Sequence, residues 1–211
     1  VVHSQEVRDM RGELTAKGKA TRSRIVEGAA AVLREKGVAS ATLDDIMVRT
    51  RSSKSQLFHY FPAGKDELLV AVARFEADQV LEDQQPYLGR LDSWEAWSEW
   101  RDVVVKRYED QGDQCPLGSL FMQIGRSTPG TRAIVIELMR RWQESLAAGI
   151  RALQAAGSLP ADLDVDRRAA SLLAAIQGGV SILLSTGRST HLRAALDQGI
   201  DDLKHAARTT E

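Results

Sequence analysis

A single cysteine, Cys115, leaves no partner for an internal disulfide. No apolar run of about 18 residues stands out, so no transmembrane helix and no membrane partner are expected. No leader with charged, apolar and small-residue parts opens the chain, and a reducing cytoplasm is the expected compartment. The four histidines, His3, His59, His191 and His205, have no metal-ligand spacing. There is also no phosphate-binding glycine loop, and no Ser/His/Asp or Cys/His set. The expectation is therefore no enzyme, no metal and no cofactor. Five prolines among 211 residues, with no sustained alternation of apolar and polar positions, argue against an extensive sheet.

What is present is Ala, Leu, Arg, Glu and Gln in long stretches, the composition of a mostly helical protein. The formal net charge of −1 hides an asymmetry. Residues 1–65 carry 12 Lys+Arg against 7 Asp+Glu, a net of +5, and residues 66–211 carry 16 against 22, a net of −6. A basic head on an acidic body is what a polyanion binder with a separate second domain shows, although a solvated basic helix gives the same balance. The chain is accordingly divided at 1–65 and 66–211.

Apolar spacing places a first helix from about Thr21 to Lys36, stopped by Gly37. Thr42-Leu-Asp-Asp45 reads as a capping box opening a short helix that ends near Thr50. A third helix starts near Ser53. Pro62, Ala63 and Gly64 break it, and a longer helix begins at Lys65. Further helices are expected over Ser93–Asp110, Leu117–Ile124, Pro129–Ala156, Asp164–Thr186 and Ser189–Ala207. The fold class is all-α with about nine helices: an N-terminal helix-turn-helix domain of three helices, then a C-terminal helical domain.

The stretch "SSKSQLFHYFPAGKDELL" raises the functional question. At about 100° per residue, Leu57, Tyr60 and Phe61 share one side of a helix, and Lys54, Ser55, Phe58 and His59 spread over the other. Phe58 is thus left facing outward among lysine and hydroxyl side chains, a surface suited to phosphates and thymine methyl groups. Three short helices, the second and third joined by a tight turn, match the arrangement in which the third lies in the major groove.

"ATLDDIMVRTRSSKSQLFHYFPAGKDELL" resembles the tetracycline-repressor (TetR) family of bacterial transcriptional regulators, closely over residues 21 to 70. The "PAGK" spelling and the later "CPLGSL" further resemble its LmrA/YxaF-like subgroup. The resemblance implies a homodimeric repressor that binds a near-palindromic operator in double-stranded DNA and is released by a small apolar or amphipathic inducer. It puts Lys54, Ser55, Gln56 and Phe58 at base edges and Thr42, Ser53, His59 and Lys65 on phosphates. Two departures stand out: Phe58 where the family usually has tyrosine, and Arg51 where it usually has a turn glycine. Arg51 either adopts the left-handed turn conformation, at about 1 kcal/mol, or adds a phosphate contact. Tyr60 is read as core in preference to DNA contact. His59 alone reads as a surface histidine, and the motif around it favours phosphate; Arg22 and Arg24 are either backbone-steering or simply solvated.

In the second domain, Trp94, Trp97 and Trp100 on one helix form a candidate inducer pocket with Leu117, Phe121, Met122, Met139 and Trp142. Ordinary core packing is the alternative for each of them. Leu172, Ile176, Gly179, Val180, Leu183 and Leu184 lie on the penultimate helix, which the family pairs with a second subunit; packing within the protomer accounts for part of that set. Cys115, beside a proline at a helix boundary, is either a thiol switch or a buried inert residue. The alternatives to an inducer-released repressor are a helical protein-interaction module and a thiol-responsive regulator acting through Cys115.

Overall fold

A computed structural model of the chain describes residues 14–112, 115–119, 124–125 and 128–208. Among them are eight helices of seven residues or more, one single helical turn and one short 3-10 turn. They form two compact units, Val1–Glu76 with Met122–Ile134, and Ala77–Phe121 with Val135–Glu211.

In the first unit, α1 spans Ala16–Lys36. It begins a turn before the expected Thr21 because the Thr15 hydroxyl accepts the Gly18 N–H at 3.1 Å. Gly18 concealed that start, since an interior glycine costs a helix about 1 kcal/mol against alanine. Ile25, Ala29, Ala30 and Leu33 form its buried stripe. Helix α2, Leu43–Thr50, opens on the expected capping box: Thr42 Oγ1 accepts the Asp45 N–H and the Asp45 carboxylate accepts the Thr42 N–H. It crosses α1 at Gly28, where a Cβ would stand 2.3 Å from Thr50 Cγ2. Any larger residue there would push the two helices apart.

Arg51 ends α2 with φ 48° and ψ 42°, the left-handed conformation considered for it from sequence. Its N–H donates back toward the Met47 and Val48 carbonyls. The chain then enters α3, Lys54–Tyr60, whose Leu57 is fully buried, as is Phe61 just beyond it. Helix α4, Lys65–Glu82, starts where expected. It is held to α1 by an ion pair between Arg34 Nη1 and Glu76 Oε1 at 2.5 Å, with the carboxylate fully buried. The first unit therefore keeps α4 as far as Glu76, beyond the expected boundary at residue 65.

The second unit continues α4 through a 3-10 turn, Tyr87–Gly89, into α5, Trp94–Gln111, capped by Ser93. A turn of helix, α6, spans Pro116–Ser119, and α7, Pro129–Ala155, belongs to this unit from Val135 onward. Helix α8 spans Val165–Thr186 and α9 spans Thr190–Arg208. Trp97, Trp100, Trp142, Leu146, Ile150 and Ile176 are fully buried in this unit. Helices α8 and α9 touch at Gly179, where a Cβ would lie 2.6 Å from Leu192 Cα.

The expectation that no helix is apolar enough to cross a membrane fails for α8. By length and composition it qualifies, an 18-residue window within it having a mean hydropathy of 1.6, yet only 39% of that window is buried within the protomer. Ser171, Gln177, Gly178, Gly179, Ser181 and Ser185 break the apolar run inside a stretch, residues 169–186, that carries no charge.

Candidate nucleic-acid interface

The exposed start of α3 is built by two reciprocal caps in succession. Thr42 and Asp45 fix α2; then Ser53 Oγ accepts the Gln56 N–H at 3.1 Å while Gln56 Oε1 accepts the Ser53 N–H at 3.3 Å. The Ser53-Lys-Ser-Gln56 spacing is itself a legible capping box, and the sequence reading overlooked it. The caps aim Lys54, Ser55 and Gln56 into solvent. Phe58 is 39% exposed on the same helix, its Cε1 3.5 Å from where a Cβ of Gly64 would sit. Thr42 and Ser53 are also exposed, their hydroxyls engaged in the caps.

Charge around this surface is unevenly committed. Lys36 bonds Asp45 at 2.5 Å and Arg49 bonds Glu35 at 2.6 Å. Lys36, with the two Thr42 bonds, holds the Asp45 carboxyl down at about 2. Arg51, Lys54 and Arg24, by contrast, form no ion pair among the described residues. Arg22 stacks on the Phe61 ring, 5.1 Å from its centroid. Val48, 81% exposed on α2, adds an apolar side chain that helical spacing alone did not single out.

Two expected phosphate ligands stand differently. His59 is half-buried, edge-on to the half-buried Tyr60 at 4.9 Å, and its Nε2 is covered without a partner among the described residues. Lys65 turns inward, and its ammonium donates to the Ala41 carbonyl at 2.7 Å and the Val38 carbonyl at 3.0 Å. No sequence signal reveals that contact, because both acceptors are backbone.

In the second unit the expected pocket aromatics are mostly core. Trp97, Trp100 and Trp142 have no exposure. Trp97 Nε1 donates to the Leu91 carbonyl and Trp100 Nε1 to Gln84 Oε1. Trp142 Nε1 has no acceptor among the described residues. Trp94 and Met139 are half-buried, Trp94 with the Lys204 ammonium 5.9 Å from its ring. Phe121, Met122 and the Leu117 side chain lie outside the described residues. A cleft of about 690 Å³ lies between α4 and α7, lined by Leu81, Glu82 and Leu88 on one side and Arg141, Glu144 and Ala148 on the other; among the described residues, Trp94, Trp97, Trp100 and Trp142 do not line it.

Leu172, Ile176, Gly179, Val180 and Leu183 are buried within the protomer, and Leu184 is half-buried. The face of α8 left open is Ala170, Ala174, Gly178, Ser181, Ile182 and Ser185, offset around the same helix. Both faces of α8 are apolar or small, so periodicity could not tell them apart. Cys115 is 1% exposed and its Sγ accepts the Gly118 N–H at 3.4 Å.

Two family profiles cover this chain. Residues 25–72 match bacterial regulatory proteins of the tetR family, and residues 91–198 match the tetracyclin repressor-like C-terminal domain. The transcriptional regulator AcuR of Cereibacter sphaeroides is 28% identical over 184 residues, 84% of this chain and 77% of that protein. A TetR transcriptional regulator from Chloroflexus aurantiacus superposes with a TM-score of 0.71 at 23% identity, covering 89% of this chain and 96% of the other. SmeT, repressor of the Stenotrophomonas maltophilia multidrug efflux pump SmeDEF, gives 0.65 at 20% identity over 86% and 89%.

Proposed function

The chain belongs to the TetR family of DNA-binding transcriptional regulators, and on that premise we propose that the start of α3 reads the operator through Lys54, Ser55, Gln56 and Phe58. The observation that supports this is the pair of caps that leaves those four side chains solvent-facing on a rigid turn. Lys54 and Gln56 carry donors suited to guanine and adenine edges, and Phe58 offers its ring to a thymine methyl. Thr42 and Ser53 sit beside the backbone, and Arg51, free of ion pairs among the described residues, adds charge there. Family membership implies dimerisation; the open small-residue face of α8 is the surface proposed for it, and two α3 helices roughly 34–36 Å apart then read a near-palindrome.

The regulator acts as a repressor released by a small ligand. The expected ligand is apolar or amphipathic, in keeping with the apolar interior of the second unit. The "PAGK" and "CPLGSL" spellings support a place near the LmrA/YxaF-like subgroup. A candidate ligand is expected to quench tryptophan fluorescence and weaken DNA binding together, with a coupling of about 1–3 kcal/mol. Quenching without a change in DNA affinity counts against this reading.

A further inference from the structure

We infer that α1 adds a grip of its own on the DNA backbone: Arg24 and Lys17, on one face of that helix, hold phosphates, while Arg22 positions the helix by stacking on the end of α3. This rests on the DNA-binding reading and extends it to a helix outside the α2–α3 pair. From sequence, Arg22 and Arg24 read alike, as cations that either steer toward DNA or are simply solvated. Their surroundings differ. Arg22 is half-buried, with its guanidinium 5.1 Å from the centroid of the Phe61 ring, and Phe61 is the wholly buried residue that closes α3. That contact sets the first turns of α1 beside the end of the helix proposed to read the operator. Arg24 lies about 200° further around α1 and is exposed.

At about 100° per residue, Lys17, Arg24 and Gly28 fall within about 40° of one another. Gly28 is where α1 meets the end of α2, an added Cβ standing 2.3 Å from Thr50 Cγ2. The face carrying Lys17 and Arg24 is therefore continuous with the end of α2, where Arg51 leads into α3. Charge along α1 is also divided by place. Toward its end, Arg34 has Glu76, Lys36 has Asp45, and Glu35 takes Arg49 of α2. Before Glu27 the helix carries Lys17, Lys19, Arg22 and Arg24 and no acid, and Glu27 itself accepts the Ser23 hydroxyl at 2.8 Å. Lys17 and Arg24 are exposed and, like Arg51 and Lys54, form no ion pair among the described residues. A strip of unpaired cations calls for a polyanion, and its continuity with the α2–α3 turn makes that polyanion the same duplex. Phosphate contacts fix register and affinity but carry no base information.

The test compares full-length Arg24→Gln, Lys17→Gln, Arg24→Lys and Lys19→Gln with the parent protein, on a random-sequence duplex and on one selected by the parent from a random pool. The dependence of log K on log salt is read for each. Loss of one phosphate contact flattens that slope by about 0.9. That flattening is expected in Arg24→Gln and in Lys17→Gln. Arg24→Lys should keep the parent's slope, and so should Lys19→Gln, whose side chain leaves α1 about 160° away from Lys17. The ratio of selected to random affinity should stay the same in all four variants. An unchanged slope in Arg24→Gln or Lys17→Gln overturns the inference. Equal flattening in Lys19→Gln overturns it too, by reducing the effect to general charge, as does an altered ratio in Arg24→Gln. A parent protein whose binding ignores salt would instead undermine the DNA-binding reading itself.

Discussion

Arg34 and Glu76 meet at 2.5 Å with the carboxylate wholly out of solvent and the guanidinium side chain only 18% exposed. A buried pair of this kind contributes little when compared with a well-packed apolar substitute, but breaking it strands a charge. Glu76→Ala is expected to destabilise the protein by about 3–5 kcal/mol in a urea titration, and Glu76→Ala with Arg34→Met by much less than the two single changes added together. Simple additivity would mean that the two side chains do not depend on each other.

Asp45 provides a pH signature. Lys36 and Thr42 hold its folded carboxyl at about 2, below its ordinary 3.8. A depressed acid stabilises the fold fully above its unfolded value and loses that contribution as pH falls toward the folded one. Stability should therefore drop between about pH 4 and pH 2 more steeply in the parent protein than in Asp45→Asn. Parallel acid-denaturation curves for the two proteins would show that the cap does not act through this charge.

Arg51 holds φ 48°, the positive φ of a non-glycine residue among those described. A left-handed conformation costs an L-residue about 1 kcal/mol, so Arg51→Gly should raise stability by up to about that amount. If the guanidinium also contacts phosphate, the same variant flattens the salt slope of DNA binding by about 0.9. A fall in stability would place the strain elsewhere.

Gly178 lies on the open face of α8, where an added Cβ meets nothing within 4 Å of the same chain. Gly178→Arg should fold normally yet sediment as a monomer, whereas Leu183→Glu, buried against the protomer's own core, should lose folding itself. A dimer undisturbed by Gly178→Arg would place the subunit interface on another surface.

The parts legible in the sequence were those written in local chemistry. Thr42 and Asp45 announced a cap, Gly37 and Pro62 announced ends, and outward spacing gave Phe58 its exposure before any coordinates. The capping box of Ser53 and Gln56 was equally legible and went unread. What stayed hidden depends on distant or featureless partners. Lys65 binds carbonyls, which have no residue identity, and α8 carries two apolar faces that 3.6-residue periodicity cannot rank. Trp97 and Trp100 read as pocket because an aromatic stripe looks alike whether it faces a ligand or the Leu91 carbonyl and Gln84 amide that in fact take their N–H groups.

The most direct measurement is selection of bound duplexes from a random pool by the parent protein, Phe58→Ala and Gln56→Glu. Glutamate keeps the N3 cap of α3 but removes the amide donors, so a loss of reading is separable from a loss of folding. The expected outcome is an inverted repeat for the parent, with preference relaxed at one position per half-site in each variant, by about 1–3 kcal/mol. An identical motif from all three proteins, or no inverted repeat from the parent, would contradict the account that α3 reads the operator.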